Sequence, residues 1–166
     1  MASAFDIVNA AYQLYRARVK YRQWQPGNSI PMWLDDGLGN NPPTAHLVNH
    51  LVNVGVMGAD LINFALVKNG LPPGGGTGSF ADYLVDKYDF DPSSPGQQGA
   101  IALRPYQGPN DDGSIALYWD EHRVIQSIPS GGVTAQYTDQ QTYAWASQGW
   151  PRYGFTIYGF LPGVSY

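Results

Sequence analysis

VMGADLINFALVKNGL, residues 56–71, is the stretch on which the fold turns. Leu61, Ile62, Ala65 and Leu66 recur at helical spacing, Asn69-Gly70 supplies a left-handed stop, and Pro72-Pro73 forbids continuation. The spacing predicts a helix over 56–69, about three turns long. Small residues at its start, Gly58 and Ala59, leave the N-terminal end open. The unpaired N–H groups there create positive potential suited to a thiolate or an oxyanion, yet no nucleophile stands at that end.

Outward from this helix the chain changes period. Ser3 and Asp6 form a capping box for a first helix to about Arg18, with Phe5, Val8, Tyr12 and Tyr15 on one face. Thr44 is placed to cap a second helix whose apolar stripe is Leu47, Val48, Leu51 and Val52. Ser79 and Asp82 read as a further capping box, for a helix carrying Phe80, Tyr83, Leu84 and Lys87. After the turn cluster at 91–96 the pattern alternates, predicting strands over 99–104, 113–119 and 122–128, the last two joined tightly at Asp120-Glu121. Thr138 and Gln141 suggest a last helix to about Ala146, and an aromatic strand over 153–161 closes the sheet. Helices first and antiparallel strands second make an α+β domain, and 166 residues make one domain.

Read in this order, the chain resembles the NlpC/P60 family of papain-like cysteine peptidases, which cut peptidoglycan stem peptides. The family's central helix opens with a cysteine in a pattern like D-C-S-G-L-V; the matching segment here is Met57-Gly58-Ala59-Asp60-Leu61-Ile62, with Gly58 at the cysteine position. Its histidine opens a strand in a pattern like G-H-V-G-I-Y; here Gly113-Ser114-Ile115-Ala116-Leu117-Tyr118 puts Ser114 there. The family's third polar residue, twelve positions on, falls on Gln126. Lys20-Tyr21-Arg22-Gln23-Trp24 is similar to the family's P-Y-x-W-G-G element, so Tyr21 and Trp24 either wall the groove or form an aromatic turn on the core. The resemblance thus implies a papain-like fold with vestigial positions Gly58, Ser114 and Gln126. It also implies a groove lined by Tyr21, Trp24, Gly58, Ala59, Asp60, Ser114 and Gln126.

The residues present limit the chemistry. The chain has no cysteine, so it has no thiol nucleophile, disulfide or thiolate metal site. A serine at 114 does not titrate near neutrality and cannot act as a base there. Loss of nucleophile and base together predicts a pseudoenzyme rather than a hydrolase. His46 and His50 share a helical face at ligand spacing but lack a third ligand, which favours a solvated or hydrogen-bonded pair. No cofactor and no metal is expected.

Composition bounds the partners. A net charge of −4 without a basic stripe argues against nucleic acid, and Arg16, Arg18, Lys20 and Arg22 read as a solvated face. No apolar run reaches the roughly 20 residues that span a bilayer, and the N-terminal residues lack the layout of a secretion signal. Charged residues are 13% of the chain, against about 25% in ordinary soluble domains. The segment 28–43 is a long loop inserted relative to the lean family core, and Trp33, Trp145 and Trp150 lie outside the family's strands. These features lead to the expectation of a structural or binding subunit of a bacteriophage virion, in the tail or tail tip, with Trp33, Trp145 and Trp150 buried against other phage protein chains. The alternatives are an endolysin-type peptidase with other active residues, or a non-catalytic peptidoglycan-binding module.

Overall fold

The computed structural model describes residues 1–23, 31–39, 42–91, 93–108, 113–129, 131–137 and 154–166. Its chain begins with β1 (Ala2–Ser3) and α1 (Ala4–Arg16). The Ser3 hydroxyl accepts from the Asp6 amide at 3.1 Å, and the Asp6 carboxylate accepts from the Ser3 amide at 2.9 Å, so the predicted capping box forms. The helix ends two residues earlier than expected, because Arg18 takes a left-handed φ of 53° that no helix can continue through.

A 3-10 turn, Met32–Leu34, follows, and then α2 (Thr44–Val54). Thr44 is the first helical residue rather than the cap, which is Pro43. Leu47 and Leu51 are buried and Val48 is partly so, but Val52 turns to solvent, narrowing the expected stripe. The central helix α3 runs Gly58–Lys68, two residues shorter at its start than predicted. Gly70 at φ 75° stops it as expected, and the Leu71 amide reaches back to the Leu66 carbonyl at 2.9 Å.

α4 (Thr77–Tyr83) starts at Thr77 behind Gly76, so the expected Ser79 capping box does not open it. Lys87 belongs instead to β2 (Val85–Asp89), a strand the sequence did not announce. The remaining strands are β3 (Ile101–Arg104), β4 (Ser114–Tyr118), β5 (Arg123–Ile128), β6 (Gly132–Tyr137), β7 (Ile157–Phe160) and β8 (Val164–Ser165). The main sheet has the order β2-β7-β3-β4-β5-β6 and is antiparallel throughout. β7 therefore does not close the sheet: it lies inside it, between β2 and β3. The helix expected over 138–146 lies outside the described residues.

α3 packs on the sheet over β4 and β5, and every residue from Ala59 to Leu66 is buried. A helix apolar on most sides is a core helix, and α1 covers its outer side. The result is the expected α+β class, a central helix on an antiparallel sheet. Ile115, Leu117 and Ile125 point into the core shared with α3, while Ala102, Ala116, Tyr118 and Val124 form a second cluster with Phe155 on the opposite face. The middle of the sheet is thus buried on both sides.

Candidate functional site

The start of α3 is fixed by three neighbours. Upstream, residues 20–22 run parallel to the entry strand: the Val56 amide donates to the Lys20 carbonyl at 2.9 Å, and the Arg22 amide donates to the Val56 carbonyl at 3.1 Å. That pairing brings half-buried Tyr21 beside the helix start, where it packs against the core. The Ser127 hydroxyl also donates to the Val56 carbonyl, at 2.8 Å. Third, Gly58 lies against β4 and β5. A Cβ added there would stand 3.2 Å from the Ile115 Cγ2 and 3.6 Å from the Ser127 carbonyl oxygen.

This contact corrects the predicted site by one residue on each strand. Ile115 and Ser127 face the helix. Ser114 and Gln126, alternating with them, are on the far face of the sheet with Ala116 and Val124. The Ser114 hydroxyl instead lies 3.5 Å from an Arg104 guanidinium nitrogen, and Gln126 is fully buried. Gly58, Ser114 and Gln126 do not meet. Two expected groove residues fail for another reason, since Ala59 and Asp60 are 0% and 2% exposed and cannot line an open groove. Trp24, Trp145 and Trp150 lie outside the described residues. Trp33 is 0% exposed within its own chain, which overturns its assignment to an interface.

What occupies the helix start is a polar network that sequence patterns did not reveal. Asp60, in the first turn of α3, accepts from the Met32 amide at 2.8 Å and from the Asn63 side-chain amide at 3.0 Å. Asn63 in turn donates to the Gly75 carbonyl at 3.0 Å and accepts from the Gly74 amide at 2.9 Å. Two loops, around 32 and around 74, are therefore pinned to one helical turn. Burial pushes the Asp60 carboxyl up to about 6, outweighing the opposing effect of both hydrogen bonds. Trp33 follows Met32 into the core, and its indole N–H has no hydrogen-bond partner among the described residues.

A second cluster holds the loop from its outer side. Arg22 clasps Asp36 with two hydrogen bonds, 2.5 and 2.8 Å, and the His50 Nε2 is 2.8 Å from the same carboxylate. The Arg22 fork holds the Asp36 carboxyl below its usual range. Arg22 is thus not part of a solvated basic face, although Arg16, Arg18 and Lys20 are exposed. His50 takes the hydrogen-bonded reading of the His46–His50 pair, and His46 is exposed. Among the described residues no group of three or more His, Cys, Asp or Glu is arranged to hold a metal ion. None of their helices is long and apolar enough to cross a membrane.

No protein-family model matches the chain, and no curated protein does. Among solved structures it is similar to the peptidoglycan hydrolase RipB from Mycobacterium tuberculosis. The identity is 15% and the TM-score 0.46, over 81% of this chain and 59% of that one.

Proposed function

We propose that this chain is a non-catalytic, NlpC/P60-like module that acts by binding, as a structural part of a larger assembly. The supporting observation is the packing at the head of α3. The position that would carry a nucleophile is Gly58, an isoleucine methyl group crowds it at 3.2 Å from an added Cβ, and the chain contains no cysteine. Backbone N–H groups at a helix start stabilise charge but do not attack a carbonyl.

The finer form of the reading is a subunit of a phage virion, at the tail or tail tip, contacting other phage proteins and retaining some affinity for peptidoglycan. Its support is compositional: few charges and many aromatic residues. The buried Trp33 removes one of the three tryptophans that motivated it. Mass spectrometry of purified virions against cleared lysate tests it directly, and absence from intact particles sinks it.

The pair favouring a second reading is His50–Asp36, since a carboxylate that orients an imidazole is half of a hydrolytic site. The same carboxylate is already occupied by Arg22. Incubation of the purified chain with peptidoglycan sacculi separates the readings: no soluble fragments are expected beyond the buffer control. Release that persists through repurification and vanishes in His50→Ala would establish an enzyme instead. Sedimentation with sacculi then distinguishes a wall-binding module from a purely structural one.

A further inference from the structure

At the other margin of the sheet, away from α3, a cleft of about 280 Å³ opens between β2 and the turn joining β7 to β8. Two strands, β7 and β3, separate β2 from β4, so this cleft is distinct from the head of the central helix. Side chains of Val85, Leu161, Pro162, Val164, Phe160 and Tyr166 line it, although polar atoms make up more than half of its exposed wall. Asp86 and Gln97 also line it.

Both ends of the cleft are held in place before any ligand arrives. The Tyr166 hydroxyl accepts from the Leu161 amide at 2.9 Å and donates to the Gly99 carbonyl at 3.0 Å, which anchors its oxygen inward. Phe160 meets the Tyr166 ring edge-on, at 4.8 Å between centroids. Opposite, Asp86 takes a left-handed φ of 49° where the β2–β7 register shifts. A bulge re-aims the side chain it carries, and a non-glycine residue in this conformation stores strain. The neighbouring cation does not satisfy Asp86, because the Lys87 ammonium donates to the Ala81 carbonyl at 2.7 Å. Asp86 has no ion-pair or hydrogen-bond partner among the described residues.

We propose that this cleft binds a primary alkylammonium group on an aliphatic stem, the chemistry of a lysine side chain. The stem packs on Val85, Pro162 and Val164. The ammonium pairs with the Asp86 carboxylate at the mouth and lies against the electron-rich face of an aromatic ring. A volume near 280 Å³ falls just below the usual range for small-molecule sites and suits one side chain rather than a large molecule.

The test is an NMR amide-shift titration of the intact chain with four probes: Nα-acetyl-lysine methylamide, n-pentylamine, Nα-acetyl-norleucine methylamide as a neutral match, and methyl glucoside. Saturable shifts at Gln97, Gly163 and Tyr166 are expected with both ammonium probes. Dissociation constants should be on the order of 1 mM, and affinity should fall as salt is added. Asp86→Asn keeps a residue that tolerates the left-handed conformation and removes the charge, so the spectrum should stay folded while affinity drops at least about tenfold. Tighter binding of the lysine derivative than of pentylamine assigns the group to a peptide or protein, and equal binding assigns a free amine. The proposal is overturned if norleucine methylamide or methyl glucoside binds as well as the ammonium probes. It is equally overturned if Asp86→Asn leaves affinity unchanged, or if no cleft resonance shifts.

Discussion

Gly58 faces Ile115, not Ser114: an added Cβ at 58 would lie 3.2 Å from the Ile115 Cγ2, while Ser114 lies on the other face of β4 beside Arg104, its partner on β3. Any chemistry written with positions 58 and 114 as partners has a β-strand between them. A thiol installed by Gly58→Cys reports this directly, through the pH dependence of its alkylation. Adding Ser114→His should leave the thiol pKa unchanged, because the imidazole enters the far face. Adding Ile115→His should lower it by about a unit or more, since an imidazolium then adjoins the thiolate. A lowered pKa in the Ser114→His background would refute the register described above.

The same contact sets the cost of a side chain at 58. Gly58→Ala gains up to about 1 kcal/mol from reduced unfolded-state freedom, and loses a similar amount by crowding a core methyl group. The net change should be within about 1 kcal/mol. In an Ile115→Ala background the crowding disappears, so a double-mutant cycle by urea denaturation should give a coupling of about 0.5–1 kcal/mol. Strict additivity would mean that the two side chains do not touch.

Asp60 links stability to pH. Its folded pKa is raised to about 6 by burial, from an ordinary value of 3.8. A raised folded pKa means that the folded state binds the proton more readily. The contribution is therefore fully present below about pH 4 and is lost as pH rises through about 6, amounting to about 3 kcal/mol at most. The difference in unfolding free energy between the wild type and Asp60→Asn should shift in that direction between about pH 4 and about pH 7. A difference that stays flat would show that the carboxyl is not held as described.

Asn63→Ala should cost on the order of 3 kcal/mol in the same measurement, because it strands the Gly74 amide and the Gly75 carbonyl away from their partner and removes a donor from Asp60. Hydrogen exchange should quicken at Met32 and at Gly74 together, since both loops are fastened to this one turn. Faster exchange at Gly74 alone would show that the two loops are held independently.

Gly96→Ala tests the opposite face of the sheet. An added Cβ at 96 would sit 2.0 Å from the Tyr118 Cε1, and Tyr118 is a fully buried ring. Overpacking of this kind costs about 1–3 kcal/mol, with the Tyr118 ring resonances shifting most. A neutral substitution would mean that the ring can move aside.

Legibility in the sequence followed local chemistry. The Ser3–Asp6 cap, the Gly70 stop and the Asp120–Arg123 hairpin are written in adjacent residues and could be read there. β2 could not, because all five of its residues are exposed and Val-Asp-Lys-Tyr-Asp shows no buried side. The one-residue slip at the site has a clearer cause. In Ser114–Tyr118 and Arg123–Ile128 almost every side chain is buried, since both faces of the sheet are covered, so alternation gives no sign of which face a residue occupies. A motif match fixes a strand but not its facing. For Trp33, a place on a charge-poor loop outside the family's strands suggests an interface but does not say where the ring points, and it is buried in its own chain.

The placement of β7 also bears on how the molecule assembles. Residues 157–160 join β2 to β3, strands that precede them by more than fifty positions, so the sheet stays in two pieces until that late segment inserts. Until then the apolar Ile101–Leu103 backbone has an unpaired edge, open to the same pairing from another chain. Long-range closure of this kind slows folding, and it leaves the interval before insertion as the period of greatest exposure to aggregation.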